Sequence, residues 1–514
     1  MLKARGVDVI FGIPGVHNQE MYRGIEEAGI THVLARHEQG AGFMADGYAR
    51  ATGKPGVAYV ITGPGLTNIM TPMGQAYSDR VPMLVISSCL DETVARRGQL
   101  HQMKDQRAAA ETVCAWSETA LSVAAAYELI DRAFAEFAAG ASRPRHITVP
   151  IHLLEAVAPP PPAPLTEPVV THGAGGVRRV VTALKGARRP LFIFGGGARH
   201  AAEAAAKLLA NTGAASMTTY AGRGVVTAET PLFLGAPLAR PGSADVIAEA
   251  DLVIAVGTEL AEVDLWRHTL GHAAPLVRVD TDPEVLADAQ RADLPILADA
   301  NAFLETLAEE VTPQVSTWDG KALTETRARW RAEVDAERPG IVAVCDALRA
   351  ATPDDAMIYS DMTQIAYVAK EVWDMGAPNM WHHPTGFGTL GYATPAGIGG
   401  AVARRGMGKT MVLIGDYGFH YTLPELGVAV ELELPLPIVL WDNGKLKEIE
   451  ESMVRGQIAP NAVVARNPDF VAVARAFGAG AVAPKSLSEI GPALTGAFAA
   501  KGPTLIYLTP EVVG

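Results

Sequence analysis

The chain has 514 residues, 49% of them hydrophobic, with 51 Gly, 35 Pro and a net charge of −13; this length suits about three domains of ordinary size. An acidic balance with no basic run argues against nucleic acid or an anionic membrane as partner. No apolar stretch reaches the roughly 18–20 residues of a membrane span, and residues 1–6 lack the apolar core of a signal peptide, so the cytoplasm is the expected location.

Residues 1–157 alternate short apolar strands, at 7–11, 57–61, 83–87 and 146–149, with small-residue helices, a pattern of βαβ units on a parallel sheet. Residues 158–176 follow as a linker, opening on Ala158-Pro159-Pro160-Pro161-Pro162-Ala163-Pro164, which continues neither helix nor sheet and stays extended. A second block, 177–312, carries strand patterns at 190–194, 251–256 and 276–280. Its turn Gly195-Gly196-Gly197 lacks the spacing of a dinucleotide fingerprint, so those glycines read as structural. A charged linker helix, 313–336, leads into a third block, 337–514. The expected fold class is α/β, with three Rossmann-like parallel-sheet domains. Cys89, Cys114 and Cys345 have no metal-ligand spacing and read as free thiols of a reducing compartment.

Two distant segments carry chemistry. In Arg36-His37-Glu38-Gln39-Gly40-Ala41-Gly42-Phe43-Met44-Ala45-Asp46-Gly47-Tyr48-Ala49-Arg50, a short β-like run ends and a small-residue helix begins at Glu38. By itself Glu38 reads as a partner of the helix N-terminal dipole. In the third block, Gly415-Asp416-Tyr417 follows one apolar run, and Asp442-Asn443-Gly444 follows another, 27 positions separating Asp416 from Asn443. Both turns then fall at the carboxyl edge of a parallel sheet, where α/β proteins bind ligands. Mg²⁺ takes one or two protein oxygens and leaves the rest to phosphate and water. Asp416, the Asn443 side-chain oxygen and the Lys445 carbonyl are the candidate ligands, with a diphosphate filling the remaining positions. Asn443 alone would read as an ordinary Asp-Asn-Gly turn.

These segments closely resemble the thiamine diphosphate (ThDP) enzymes of the acetolactate synthase and 2-oxo acid decarboxylase superfamily. The first is similar to its Arg-His-Glu signature, the second to its Gly-Asp-Gly…Asn-Asn motif, with Tyr417 in place of the second Gly and Asp442 in place of the first Asn. The likeness covers nearly the whole chain and implies pyrimidine-binding, middle and diphosphate-binding domains in that order. It implies that Glu38 hydrogen-bonds the cofactor aminopyrimidine, and that Gly388 and Leu390 of Gly386-Phe387-Gly388-Thr389-Leu390-Gly391 bond it through their backbone, Leu390 also propping the two rings apart. Asp416, Tyr417, Gly418, Asn443 and Lys445 form the Mg²⁺ and diphosphate turns, with Gln364 and His420 as further diphosphate contacts. His17, in Gly12-Ile13-Pro14-Gly15-Val16-His17-Asn18, is the expected proton shuttle, and Gln102 falls near the family's active-site Gln. His101 is the alternative to Gln102, as half of a decarboxylase-like His pair whose second His is missing.

The implied reaction is non-oxidative decarboxylation of a 2-oxo acid through an ylid and an enamine. The look of residues 11–17 and 36–50 is that of the 5-guanidino-2-oxopentanoate (2-ketoarginine) decarboxylase type. For a cationic substrate tail, Asp361, Asp442, Glu448 or Glu451 are the available acids, whereas Lys445 and Lys447 beside them suit an anionic or short acid better, so the acid stays open. A carboligase or lyase of the acetolactate synthase or benzaldehyde lyase kind, acting on 2-oxo acids or aldehydes, is the nearer alternative; a catalytically silent ThDP-fold binding or regulatory protein is the farther one. The family binds FAD in the middle domain of some members; nothing here compels it, although Gly222-Arg223-Gly224 lies where a cofactor edge would. The resemblance also implies a homodimer or dimer of dimers, with Glu38 and Asp416 of each site on different chains. Relatives begin with a further helix, of which residues 1–6 match the end, and the consequence expected is lower stability rather than altered chemistry.

Overall fold

The computed structural model describes residues 1–91, 98–140, 142–166 and 174–514; residues 167–173 of the expected linker lie outside that set. Three sheets carry the chain. The first comprises β1 (Val9–Gly12), β2 (Thr31–Leu34), β3 (Gly56–Val60), β4 (Met83–Cys89), β5 (Trp116–Thr119) and β6 (Arg145–Pro150), in the order β2-β1-β3-β4-β6-β5 and parallel throughout. The second comprises β7 (Pro190–Phe194), β8 (Ala215–Thr218), β9 (Leu252–Val256), β10 (Leu276–Asp280) and β11 (Leu294–Leu297), ordered β11-β10-β9-β7-β8 and again parallel. In the third, β12 (Met357–Ser360), β13 (Trp381–His382), β14 (Thr410–Gly415), β15 (Pro437–Trp441), β16 (Gly480–Val482) and β17 (Thr504–Leu508) run β13-β12-β14-β15-β17-β16, parallel from β12 to β16. Central strands such as β14 and β15 are buried along their whole length, as expected when helices cover both faces of a parallel sheet.

The chain divides into two compact units. Met1–Pro168, Ala351–Thr363 and His383–Gly514 form one, which holds the first and third sheets; Val169–Ala350 with Gln364–His382 form the other. In the first unit the helices Glu38–Thr52 and Ala393–Ala403 meet backbone to backbone. A Cβ on Gly47 would strike the Ala396 carbonyl, and one on Gly399 the Met44 carbonyl, so glycine is what permits the approach. The Tyr392 hydroxyl donates to Asp46 Oδ1 at 2.7 Å, and Tyr359 to the Gly47 carbonyl at 2.7 Å. Arg50 binds Asp46 at 2.6 Å and Asp79 at 2.8 Å, and Asp79 accepts the Gly386 N–H at 2.9 Å. That chain of charged hydrogen bonds ties the turn before Gly388 to the first sheet's helices.

In the second unit Gly195 and Gly197 lie against Gly257, where side chains would collide with its backbone, so this glycine turn serves close packing. Arg223 is buried with its guanidinium 4.4 Å from the Trp381 ring centroid. Among the described residues no helix is long and apolar enough to cross a membrane.

Candidate active site

β2 ends at Leu34, and Ala35-Arg36-His37 carry the chain to Glu38, which opens the helix Glu38–Thr52. His37 caps that helix, its Nδ1 accepting the Gln39 N–H at 3.1 Å. Glu38 is 9% exposed and accepts from Asn68 Nδ2 at 2.9 Å, Asn68 standing on the helix Pro64–Ser78. Residue 65 on the same helix lacks a side chain, and an ideal Cβ there would sit 3.5 Å from Glu38 Oε1.

β1 and β3 are neighbours, so the turns after them stand side by side at the carboxyl edge. Asn18 is fully buried and staples the first turn, accepting the Gly15 N–H at 2.6 Å and donating to the Ile13 carbonyl at 3.3 Å. The second turn places Gly63 (φ +70°) against the His101 carbonyl, and Gln106 accepts the Gly63 N–H at 2.9 Å. His101, in the segment between β4 and the helix Gln106–Glu111, lies over that turn and meets His17, Nδ1 to Nδ1 at 3.3 Å, with ring centroids 4.9 Å apart and nearly perpendicular planes. The ring beside His101 is therefore His17, from 84 positions away. Burial, and then the neighbouring His101 charge, hold His17 below its ordinary value. Gln102 instead turns to its own loop, accepting the Gln99 N–H at 3.3 Å.

At the third sheet, Asp416 starts the helix Asp416–Thr422 directly after β14, and Asp442-Asn443-Gly444 directly follows β15. The two turns are adjacent because β14 and β15 pair in register, Gly415 opposite Trp441. Asn443 Oδ1 accepts the Lys445 N–H at 3.2 Å, the ordinary local turn contact. Asn467, which no sequence pattern marked, reaches in from an irregular segment. Its Nδ2 lies 2.8 Å from both Asp416 Oδ2 and Asp442 Oδ1, and its Oδ1 lies 3.1 Å from His420 Nε2. Burial pushes the Asp416 carboxyl up; the Asn467 hydrogen bond opposes that rise and the Asp442 charge adds to it.

Asp361 and Asp442 do not stand ready for a substrate's cationic tail. Asp361 is fully buried and accepts the N–H groups of Met362 at 2.7 Å, Gly391 at 2.9 Å and Ala393 at 3.3 Å, while burial raises its carboxyl to about 6. Asp442 is 8% exposed and takes the Tyr507 hydroxyl at 2.9 Å as well as Asn467. Gly418 lies against Asp361, where a Cβ would come within 2.9 Å of its carboxylate; Tyr417 is half-buried beside it and His420 is exposed. Gln364 opens the helix Gln364–Val372 in the other unit.

The residues present fit a diphosphate cofactor with a hard cation. Asp416 offers carboxylate oxygens and the adjacent turn offers the Asn443 side-chain oxygen, hard donors of the kind Mg²⁺ takes, and among the described residues there is no group of three or more His, Cys, Asp or Glu that could hold a metal ion. In the turn Gly388-Thr389-Leu390, Gly388 is exposed with φ +67°, Leu390 is half-buried, and the buried Thr389 hydroxyl has no hydrogen-bond partner. A buried hydroxyl left unpaired is costly unless something else satisfies it.

Three family models match the chain: thiamine pyrophosphate enzyme, N-terminal TPP binding domain, over residues 1–109; central domain, over 177–307; and C-terminal TPP binding domain, over 361–508. The chain belongs to the thiamine pyrophosphate enzymes. Among relatives, it is 44% identical to the Pseudomonas aeruginosa protein named "Probable 2-ketoarginine decarboxylase AruI", across 99% of this chain and 92% of that one. It is 28% identical to the Escherichia coli acetolactate synthase isozyme 2 large subunit, across 99% and 94%. An X-ray structure of a Mycobacterium smegmatis protein described as thiamin diphosphate-dependent superposes with a TM-score of 0.83 at 22% identity, covering 99% of this chain and 97% of that one, a likeness of fold.

Proposed function

We propose that the protein is a ThDP- and Mg²⁺-dependent decarboxylase of a 2-oxo acid. The observation that carries this reading is the 44% identity, over 99% of the chain, to a protein named as a 2-ketoarginine decarboxylase. When bound, ThDP supplies a nucleophilic carbon and an electron sink for the carbanion left as CO₂ departs. Asp416, Asn443 and the Lys445 carbonyl hold the cation, with Tyr417, Gly418 and His420 toward the diphosphate. Gly388 and Leu390 receive the aminopyrimidine, and Glu38 shares a proton with it. His17 moves the proton that replaces CO₂, and its partner is His101 rather than Gln102, since His101 is the group within reach of it.

The reading includes a cytoplasmic homo-oligomer, dimer or dimer of dimers, whose sites draw Glu38 and Asp416 from different chains; the free thiols Cys89, Cys114 and Cys345 accord with a reducing compartment. A guanidino-tailed 2-oxo acid is the first substrate to test, with Glu448 and Glu451, the latter paired with Lys447 at 3.4 Å, as the acids proposed for its tail. The likeness to acetolactate synthase favours carboligation as the second reading. CO₂ release from pyruvate, branched, aromatic and guanidino-tailed 2-oxo acids, with and without ThDP and Mg²⁺, tests the first. Glu38→Gln is expected to lower cofactor-dependent kcat by about 100-fold or more, the scale of a lost proton-transfer group. Acetolactate from pyruvate, in place of acetaldehyde, would transfer the assignment to the carboligase.

A further inference from the structure

Glu425 is a buried carboxylate with no part in the chemistry above. It is 1% exposed and ends the short turn Leu423–Glu425, which continues the helix Asp416–Thr422. Its Oε1 accepts the His37 N–H at 2.9 Å, and its two oxygens share the Arg36 N–H at 3.2 and 3.1 Å. Those amides immediately precede Glu38. The carboxylate has room because residue 40, on the first turn of the same helix, is glycine: a Cβ there would collide with it. Arg36 is held a second time, its guanidinium paired with Glu431. One side chain from a distant segment thus takes both backbone N–H groups ahead of Glu38, so the strand-to-helix junction is held from outside its own stretch of chain.

We propose that Glu425 is a positioning residue that, by holding the Arg36 and His37 amides, sets where the helix Glu38–Thr52 begins and hence where the Glu38 carboxylate stands. The proposal rests on the role assigned to Glu38. Asn68 fixes the Glu38 side chain at 2.9 Å, and Glu425 fixes the backbone that carries it. Since Glu425 lies nine residues after Asp416 in one nearly continuous helical stretch, a chain's cation turn and its own Glu38 are mechanically joined. In a dimer whose sites draw these two groups from different chains, that joint links one active site to the other.

The test compares Glu425→Ala, Gly40→Ala and the double variant, as full-length holoenzyme with ThDP and Mg²⁺. Each single change is expected to lower kcat about 10- to 100-fold, as for an ångström-scale misplacement, with KM altered less than about twofold. The double variant falls no further than the weaker single one, because both changes empty the same seat. Without cofactor, hydrogen exchange at the Arg36 and His37 amides accelerates in both single variants while far-ultraviolet circular dichroism is unchanged. Should Glu425→Ala not fold, Gly40→Ala carries the test alone, since alanine suits a helix interior. Loss of turnover in Glu38→Gln with kcat intact in both seat variants overturns the positioning role alone. Turnover intact in Glu38→Gln removes its premise and overturns it as well.

Discussion

The two imidazoles at the carboxyl edge of the first sheet are close enough for their protonation to be coupled. With Nδ1 atoms 3.3 Å apart, one proton can lie between them, whereas charging both rings sets two cations side by side. His17 is held below its ordinary value by burial first and by the His101 charge second. The acid limb of kcat/KM that His17 sets therefore falls below the usual imidazole range, and His101→Ala, which removes the second cause, moves that limb to higher pH. A pH profile at saturating ThDP and Mg²⁺ measures the shift, and a limb that stays in place would belong to another group. The pair was invisible in the sequence because each His sits in an irregular segment, His17 after β1 and His101 after β4, and only packing of the second segment over the turn after β3 brings them together. The placement of Asp416 and Asn443 in adjacent turns was legible, since each is a short polar signal directly after an apolar strand. Asn467 was not, because it enters the site from a segment with no periodicity and acts through a carboxamide that reads like any surface residue.

At the scale of elements, legibility followed the length of the apolar run: β8 and β12 are buried throughout, but as four-residue strands ending in Thr and Ser they were not legible. Strands β7, β9 and β15 are buried throughout and appear as unbroken apolar runs, and β4 and β14 each contain a run of four apolar residues. The edge strands β5, β11 and β16 escaped notice: β11 and β16 leave most of their residues partly or fully exposed, and β5 reads Trp-Ser-Glu-Thr. The helix Glu38–Thr52 carries Gly40, Gly42 and Gly47, poor helix formers, whose value lies in what they admit: Glu425 at Gly40, Pro72 at Gly42 and the Ala396 carbonyl at Gly47. The Glu425 contact has a thermodynamic signature. Burial raises its carboxyl from 4.5 to about 7, against the Arg36 and His37 amides and the Arg36 charge, with the Glu38 charge adding to the rise. A folded-state value above the unfolded one means that the proton's contribution to stability is complete below pH 4.5 and is lost as pH rises through about 7. Between pH 5 and 8 the wild-type protein should lose on the order of 2–3 kcal/mol from this group. Glu425→Gln, which cannot ionise, should lack that part of the slope. Denaturation midpoints at several pH values in both proteins give the difference; Asp361, raised to about 6, is common to both and cancels.

For the whole molecule the decisive question is which chain completes which site. The first and third sheets belong to one compact unit of a single chain, yet the proposed reading draws Glu38 and Asp416 of each site from different chains of a homodimer. Mixing two inactive variants decides it. If Glu38→Gln and Asp416→Ala chains are unfolded together, refolded and allowed to pair at random, half of the dimers contain one chain of each kind. In such a dimer with shared sites, one site collects both substitutions and the other collects neither, so the mixture should recover about one quarter of wild-type turnover. If each chain builds its own site, every site carries one substitution and nothing is recovered. The same mixture tests the mechanical joint at Glu425. When the Glu38→Gln chain also carries Glu425→Ala, the seat is lost beside a Glu38 that is already silent, and the intact site keeps its own undisturbed Glu38. Recovery should then stay near one quarter. When the Asp416→Ala chain carries Glu425→Ala instead, the surviving site relies on the loosened Glu38 of that chain, and recovery should fall by the factor measured for Glu425→Ala alone.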